Sequence, residues 1–248
     1  MSQYVSTIRD FALLIVDVLK TDRDALVIVT GDTGGGKSVF TWSLNRELAV
    51  ATGVPFDPVR EYIYERDEFN QQLDRAPQYS RVCLDEAVGL FYARDYHEDE
   101  QIALLKKLDR IRYRNLVLTM LIPNLGHLDT HIRNARVRYW VYIAVRKGEG
   151  AAAYAHAYIF QKESNPFNLD PWNLKNNVKL WPKGKIDRSP NYVAEIIFKN
   201  LPREEYAIYN ELRDVKRRLA EAKEWKVARK RSRRSKRGER EDARVVAE

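Results

Sequence analysis

The residues with the clearest chemistry lie in GDTGGGKS, at 31–38, directly after the apolar run ALVIVT at 25–30. Backbone N–H groups can surround a phosphate chain only where side chains do not hold them away, and glycines remove those side chains. The run KSVFTWSLNRELAV predicts a helix that begins here, and its amino end favours phosphate. Four residues occupy the fixed positions of the pattern G-x-x-x-x-G-K-[ST]: Gly31, Gly36, Lys37 and Ser38. The alternative is a flexible turn that fits the pattern by accident.

The positions of this loop have different predicted roles toward ATP. Lys37 is expected to reach the β- and γ-phosphates, and Ser38 is expected to bind Mg²⁺. The backbone of the loop and the first helical residues are expected to surround the phosphates. The predicted nucleotide-binding residues are Gly31, Asp32, Thr33, Gly34, Gly35, Gly36, Lys37, Ser38 and Val39.

Two adjacent carboxylates end the apolar run VCLDEA, 48 residues after Lys37. Asp85 is expected to hold the Mg²⁺ ion, and Glu86 is expected to orient or deprotonate the attacking water. An acidic helix cap is the alternative. The Asp-Glu pair, with no N-K-x-D guanine motif in the chain, favours ATP hydrolysis over a GTPase. A small-molecule kinase needs no such glutamate, although DRIRYR at 109–114 could imitate a kinase lid.

Three further residues are candidates for contact with the γ-phosphate. Asn124 follows the apolar run LVLTMLIP and is predicted to act as a sensor at the strand end; a turn asparagine is the alternative. Arg133 and Arg136 lie in HIRNARVR and are candidates for an arginine that enters a neighbouring subunit's site. A solvated surface arginine is the alternative for each of them.

The charge of the chain is concentrated near its carboxyl end. The formal net charge is +8 over 248 residues, yet residues 1–212 hold 28 basic and 28 acidic residues. Residues 213–240 hold 14 basic and 4 acidic residues. Such a basic segment usually binds nucleic acid, and less often acidic lipid or protein.

Composition also excludes two classes of protein. No run approaches the ~20 apolar residues of a membrane span, so we predict a chain without one. The single Cys83 excludes a disulfide scaffold and favours a reducing, intracellular setting.

Apolar strands alternate with helices along the first 160 residues, which predicts a mainly parallel α/β sheet flanked by helices. The predicted fold class is a P-loop NTPase of the additional-strand (RecA-like) type. It is expected to carry an antiparallel edge hairpin over 137–147 and 151–162 and a helical basic C-terminal tail. The predicted regions are an N-terminal helix (1–23), an ATPase core (24–162), an irregular extension (163–201), a helix (202–230) and a disordered basic tail (231–248).

The loop and the VCLDEA run together resemble the FtsK/HerA superfamily of P-loop motors, whose loop often reads G-x-T-G-x-G-K-S. The matching residues are Thr33, Gly34, Gly36, Lys37 and Ser38. The layout is most similar to the compact branch of zonula occludens toxin-like phage proteins and viral genome-packaging ATPases. Departures are Asn124 where the family usually has glutamine, and the lack of the span that filamentous-phage members carry. The resemblance implies a hexameric ring, DNA in its centre and a trans-acting arginine.

We therefore expect an ATP-driven motor that moves double-stranded DNA, held by the basic tail and the ring centre, in viral genome packaging or plasmid transfer. One alternative is an ATPase that assembles or extrudes coat protein at a membrane. Another is a nucleotide-dependent DNA-binding regulator. The expected location is the host cytoplasm or the virion, with a capsid or membrane partner.

Overall fold

A computed structural model describes residues 5–85, 99–145, 154–165, 168–180 and 185–222. The chain divides into two compact units, Met1–Pro202 and Arg203–Glu248. The described part of the second unit is a helix over residues 203–222. Among the described helices, none combines the length and the hydrophobicity needed to cross a bilayer.

The first unit is built on a sheet that, in the described residues, has seven strands in the order β2-β3-β4-β1-β5-β6-β7. The first five strands of that order run parallel to one another, β6 runs antiparallel to β5, and β7 runs antiparallel to β6. The strands are β1 (Ala25–Gly31), β2 (Tyr62–Ile63), β3 (Arg81–Leu84), β4 (Val117–Leu121), β5 (Val137–Val145), β6 (Tyr154–Gln161) and β7 (Tyr192–Lys199).

Helices precede or connect most of these strands. Single short turns of other helical types lie at Ile111–Arg114, Leu125–His127, Ile132–Arg136 and Ile186–Arg188. The α-helices of the first unit, among the described residues, are α1 (Ile8–Leu19), α2 (Lys37–Thr52), α3 (Pro58–Glu61), α4 (Arg66–Arg75), α5 (Asp99–Arg110) and α6 (Leu174–Leu180).

Strand β1 lies at the centre of the sheet and is buried along its whole length. Helices cover both of its faces, which is why its sequence is continuously apolar rather than alternating. Leu26 and Ile28 of β1 join a core cluster that includes Phe69 of α4 and Leu108 of α5. Helix α1 packs against α2, and its Phe11 meets the ring of Tyr139 edge-on at 5.3 Å. Helices α1 and α2 thus cover one face of the sheet.

The topology confirms the predicted fold class. Strand β4 lies between β1, which leads into the loop, and β3, which leads into Asp85. The antiparallel pair β5–β6 also forms as expected, but β5 pairs in parallel with β1 and the sheet continues to β7. The predicted antiparallel hairpin therefore forms on this side of the sheet, and β7 extends it by one further strand.

The segment 163–201, predicted to be irregular, contains α6 and β7. In β7, Ala194, Ile196 and Phe198 are buried while the residues between them are exposed. This alternation is the mark of a strand with one covered face. Exposed Ile197 adds an apolar residue on the open face, which obscures the alternation in the sequence.

Candidate nucleotide-binding site

Two glycines of the loop have a backbone conformation that disfavours any other residue. Gly31 ends β1 with φ of 143°, and a Cβ there would lie 2.4 Å from the carbonyl oxygen of Ile143 in β5. Gly36 has φ of 97° and is the residue before α2. A Cβ at Gly36 would stand at an ordinary contact distance of 3.6 Å from the Phe198 ring, so the positive φ and not crowding favours glycine here. Close approach of β5 at Gly31 and positive φ at both positions therefore explain the two glycines.

Lys37 is the first residue of α2, and its ammonium group folds back over the loop. Its Nζ donates hydrogen bonds to the carbonyl oxygens of Gly31 at 2.8 Å and of Asp32 at 3.0 Å. These contacts place a positive charge above the loop where the sequence predicts the phosphates.

Ser38 and Asp85 are 47 residues apart in sequence and meet beside the loop. The Ser38 hydroxyl donates to Oδ2 of Asp85 at 3.4 Å. The Asp85 side chain is buried, and its backbone N–H donates to the carbonyl of Ile63 at 3.0 Å, which ties the end of β3 to β2. The structure therefore brings together the two residues predicted to hold Mg²⁺.

The oxygen atoms of Ser38 and Asp85 fit the preferences of Mg²⁺. This ion is commonly bound through one or two protein oxygens, with phosphate oxygens and water completing its octahedron. Within the described parts of the chain, no group of three or more His, Cys, Asp or Glu residues could form a protein-only metal site. The donor set thus suits a metal that arrives with a nucleotide.

Tyr64 belongs to the same cluster, although the sequence analysis did not select it. Its hydroxyl donates to Oδ2 of Asp85 at 3.1 Å. It follows β2, whose carboxyl end lies beside that of β3. Since the carboxyl ends of neighbouring parallel strands lie side by side, the position of Tyr64 at the end of the YIY run was the available signal.

Removing the Tyr64 hydroxyl tests whether it orients Asp85. Tyr64→Phe keeps the ring, so we expect an unchanged melting temperature. Loss of such an outer partner typically lowers metal affinity or activity by roughly tenfold to a hundredfold. The measurement is ATPase rate against Mg²⁺ concentration, with Tyr113→Phe, at an exposed tyrosine, as the matched control. An unchanged Mg²⁺ curve would show that the hydroxyl does not position the aspartate.

Asn124 lies just beyond the carboxyl end of β4, next to the loop. The preceding Pro123 accepts a hydrogen bond from the N–H of Gly31 at 3.4 Å. The side-chain oxygen of Asn124 accepts from the N–H of Gly126 at 2.8 Å and so caps the turn Leu125–His127. Its sensor role stays a prediction, and it depends on the amide NH₂ group, which this cap does not use.

The two arginine candidates are held differently. Arg136 forms an ion pair with Asp24 and donates to the carbonyl of Leu108 at 2.9 Å. Asp24 precedes β1, whereas the loop follows it, so this pair lies at the opposite end of the strand from the loop. Among the described residues, the guanidinium of Arg133 makes only long hydrogen bonds, at 3.4 Å to Asn134 and 3.5 Å to Thr130. The trans-acting role remains a prediction for both, and Arg133 is the better candidate because its guanidinium is less committed.

Two other residues bear on the chemistry. Glu86, the predicted water-activating residue, lies outside the described residues. Cys83 is fully buried in β3, and burial raises the pKa of its thiol well above the ordinary value. A thiol held protonated in the core is not a nucleophile, so Cys83 has a packing role.

The glycine-rich loop between β1 and α2, the buried aspartate after β3 and the strand inserted between them define a P-loop NTPase fold. The N-terminal domain of zonular occludens toxin from Neisseria meningitidis is similar in structure, with a TM-score of 0.44 and 16% identity over 73% of this chain and 96% of that one. The Legionella pneumophila ATPase DotB gives a TM-score of 0.39 and 15% identity over 75% of this chain and 60% of that one. No protein-family model and no curated protein matches the sequence.

Proposed function

We propose that the chain is a Mg²⁺-dependent ATPase. The observation that carries the proposal is the meeting of Ser38 and Asp85 beside a glycine-rich loop over which Lys37 places its charge. A bare phosphate-binding loop is enough to bind a nucleotide, whereas a serine and a carboxylate converging next to it supply the ligands of a catalytic metal ion.

Each residue of this site has a defined task in the proposed reaction. The loop backbone and Lys37 bind the phosphates, and Ser38 and Asp85 would hold Mg²⁺, which neutralises charge on the phosphate oxygens when bound. Glu86 accepts a proton from the attacking water. The Asn124 amide senses the γ-phosphate, and Arg133 of a neighbouring subunit stabilises the charge that develops in the transition state.

The substrate that we propose for the motor is double-stranded DNA. The main support is the position of the positive charge, with 14 basic against 4 acidic residues at 213–240. The resemblance of the loop to the FtsK/HerA motors also supports DNA as the substrate. It further implies a homo-oligomeric ring, which we expect to be a hexamer. Genome packaging or plasmid transfer is the proposed process, in the host cytoplasm or the virion and with a capsid or membrane partner.

The ATPase rate with and without double-stranded DNA tests this function. A DNA motor couples hydrolysis to DNA contact, so we expect the rate to rise several-fold at saturating DNA. An assembly or extrusion ATPase that acts on coat protein would hydrolyse ATP at the same rate in both conditions. A protein that shows no Mg²⁺-dependent hydrolysis in either condition would instead be a nucleotide-dependent binding regulator.

Truncation after Lys226 tests whether the basic segment contacts DNA. It removes ARKRSRRSKRGER, which has no apolar seam to bury, so folding and basal ATPase activity should not change. Loss of several phosphate contacts should weaken DNA binding roughly tenfold or more at low salt and flatten its salt dependence. Fluorescence anisotropy with labelled duplex DNA measures both quantities. Equal affinity of the full-length and truncated chains would identify the segment as a solubilising tail.

A further inference from the structure

A basic cavity lies at the ends of the central strands that are opposite the glycine-rich loop. It has a volume of about 400 Å³ and opens beside the residues that precede β1 and β5 and follow β6. Because β1 has seven residues, the cavity and the loop are separated by about 20 Å. Its basic lining residues are Arg23, Arg112, Arg136, Arg138 and Lys162.

The two carboxylates of the cavity are both directed at one of these cations. Asp24 forms an ion pair with Arg136, and Asp109 approaches Nε of the same guanidinium at 3.5 Å. That distance and alignment give no hydrogen bond, so Nε of the largely buried Arg136 has no hydrogen-bond partner in the described structure. Arg136 and Asp24 thus form an ion pair in the cavity lining, and the five cations of the lining outnumber its two carboxylates.

The other four cations have no carboxylate bound to them. Within the described part of the chain, Arg23, Arg112 and Arg138 make no salt bridge. The positive charge of Arg112 nevertheless lowers the pKa of Asp24, against the larger rise that burial causes. Lys162 donates to two backbone carbonyls, those of Asn134 at 3.1 Å and Ala135 at 3.0 Å. The cavity therefore holds an excess of positive charge, on side chains from segments at the ends of four strands, β1, β4, β5 and β6.

The electrostatics of Lys162 reflect this excess. Burial lowers the pKa of its ammonium group, and the positive charges of Arg138 and Arg136 lower it further. A bound anion would reverse the second effect, because an opposite charge within a few ångströms favours the protonated form. The repulsion among these cations is thus relieved by a ligand with negative charge.

We propose that this cavity is a second phosphate-binding site, separate from the nucleotide site. A phosphate group presents several acceptor oxygens and up to two negative charges. Arginine guanidinium groups match this geometry with paired N–H donors, and lysine adds a point charge. The backbone of DNA and a small phosphorylated compound offer the same chemistry. If the bound phosphate belongs to DNA, this inference rests on the proposed function. If it belongs to a small phosphorylated compound, it does not.

The first measurement is binding of pyrophosphate by calorimetry, with Lys37→Ala in the background to weaken the loop site. The double variant Arg112→Gln/Arg138→Gln should lower the remaining affinity at least tenfold. The matched control, Arg9→Gln/Arg188→Gln, removes the same charge from exposed arginines outside the cavity and should retain it. If the first double variant does not fold, as judged by circular dichroism, Arg23→Gln/Arg112→Gln replaces it, since both of these side chains are exposed.

The second measurement identifies the source of the phosphate. The same variants, with Lys37 intact and the full chain present, are titrated with labelled duplex DNA at several salt concentrations. Removal of two phosphate contacts should reduce the salt slope by about 2. A reduced slope assigns the cavity to the DNA backbone, and an unchanged slope with lost pyrophosphate binding assigns it to a small phosphorylated compound. If cavity and control variants bind both ligands equally, the proposal is wrong, whatever the ATPase assay shows.

Discussion

Replacing Glu86 by glutamine is expected to lower kcat for ATP hydrolysis by a factor of about 10² to 10⁴ while ATP binding stays nearly intact. Glutamine keeps the size and polarity of the side chain but cannot accept a proton from water. The loop, Lys37 and the Ser38–Asp85 pair, which bind the nucleotide in our proposal, are unchanged. The measurements are single-turnover hydrolysis and equilibrium binding of ATP with Mg²⁺.

Lys37→Ala is the contrasting variant for this experiment. It removes the charge that lies over the loop, so it should weaken ATP binding itself as well as turnover. The pair of variants separates a residue that acts on water from a residue that binds phosphate. Hydrolysis by Glu86→Gln at the wild-type rate would show that another group activates the water.

The parts of the site that could be predicted are those set by local sequence. Gly31 and Gly36 are constrained by the loop itself, because their positive φ favours glycine. Lys37 follows directly at the fixed position of the same motif. Asp85 was predictable because it ends an apolar strand, and the P-loop class places such an aspartate beside the loop. The Ser38–Asp85 contact then follows from the strand order β3-β4-β1.

The parts that could not be predicted depend on contacts distant in sequence. Tyr64 reaches Asp85 across 21 residues, and Arg136 pairs with Asp24 across 112. Sequence patterns specify which face of a strand is buried, but they do not specify which polar side chains meet at its ends. The basic cavity was missed for the same reason, since its cations come from segments that only the sheet brings together.

A buried ion pair outside the site illustrates the same limit and has a large expected effect on stability. Arg81 of β3 has no exposed side-chain surface, and the Glu61 side chain is 7% exposed. Arg81 Nη2 lies 2.6 Å from Oε1 of Glu61, and Nε donates to Oε2 at 3.0 Å. The guanidinium also donates to the carbonyls of Val54 at 3.1 Å and Pro55 at 2.7 Å. One side chain thus joins β3 to α3 and to the loop before it.

Arg81→Met is therefore expected to lower the free energy of unfolding by about 3–5 kcal/mol, because it leaves the Glu61 charge buried and unpaired. For a domain of this size, the melting temperature should fall by roughly 6–20 °C. The double variant Arg81→Met/Glu61→Leu should be more stable than the single variant, since it removes the stranded charge. Arg60→Met is the control, because the Arg60–Asp57 pair is 79% and 46% exposed and should contribute less than about 1 kcal/mol.

The pH dependence of Arg81→Met distinguishes a stranded charge from lost packing. Burial raises the pKa of Glu61 above its ordinary 4.5, and Arg81 opposes that rise. Without Arg81 the pKa of Glu61 in the folded state should rise further. A carboxyl whose pKa is raised on folding lowers the free energy of unfolding as pH rises from its unfolded-state pKa to its folded-state pKa. The stability deficit of Arg81→Met should therefore grow as pH rises from 5 to 8, and Arg81→Met/Glu61→Leu should lack this trend. Thermal melts across that range give the answer: parallel curves for the single and double variants would mean that packing, and not the Glu61 charge, accounts for the loss.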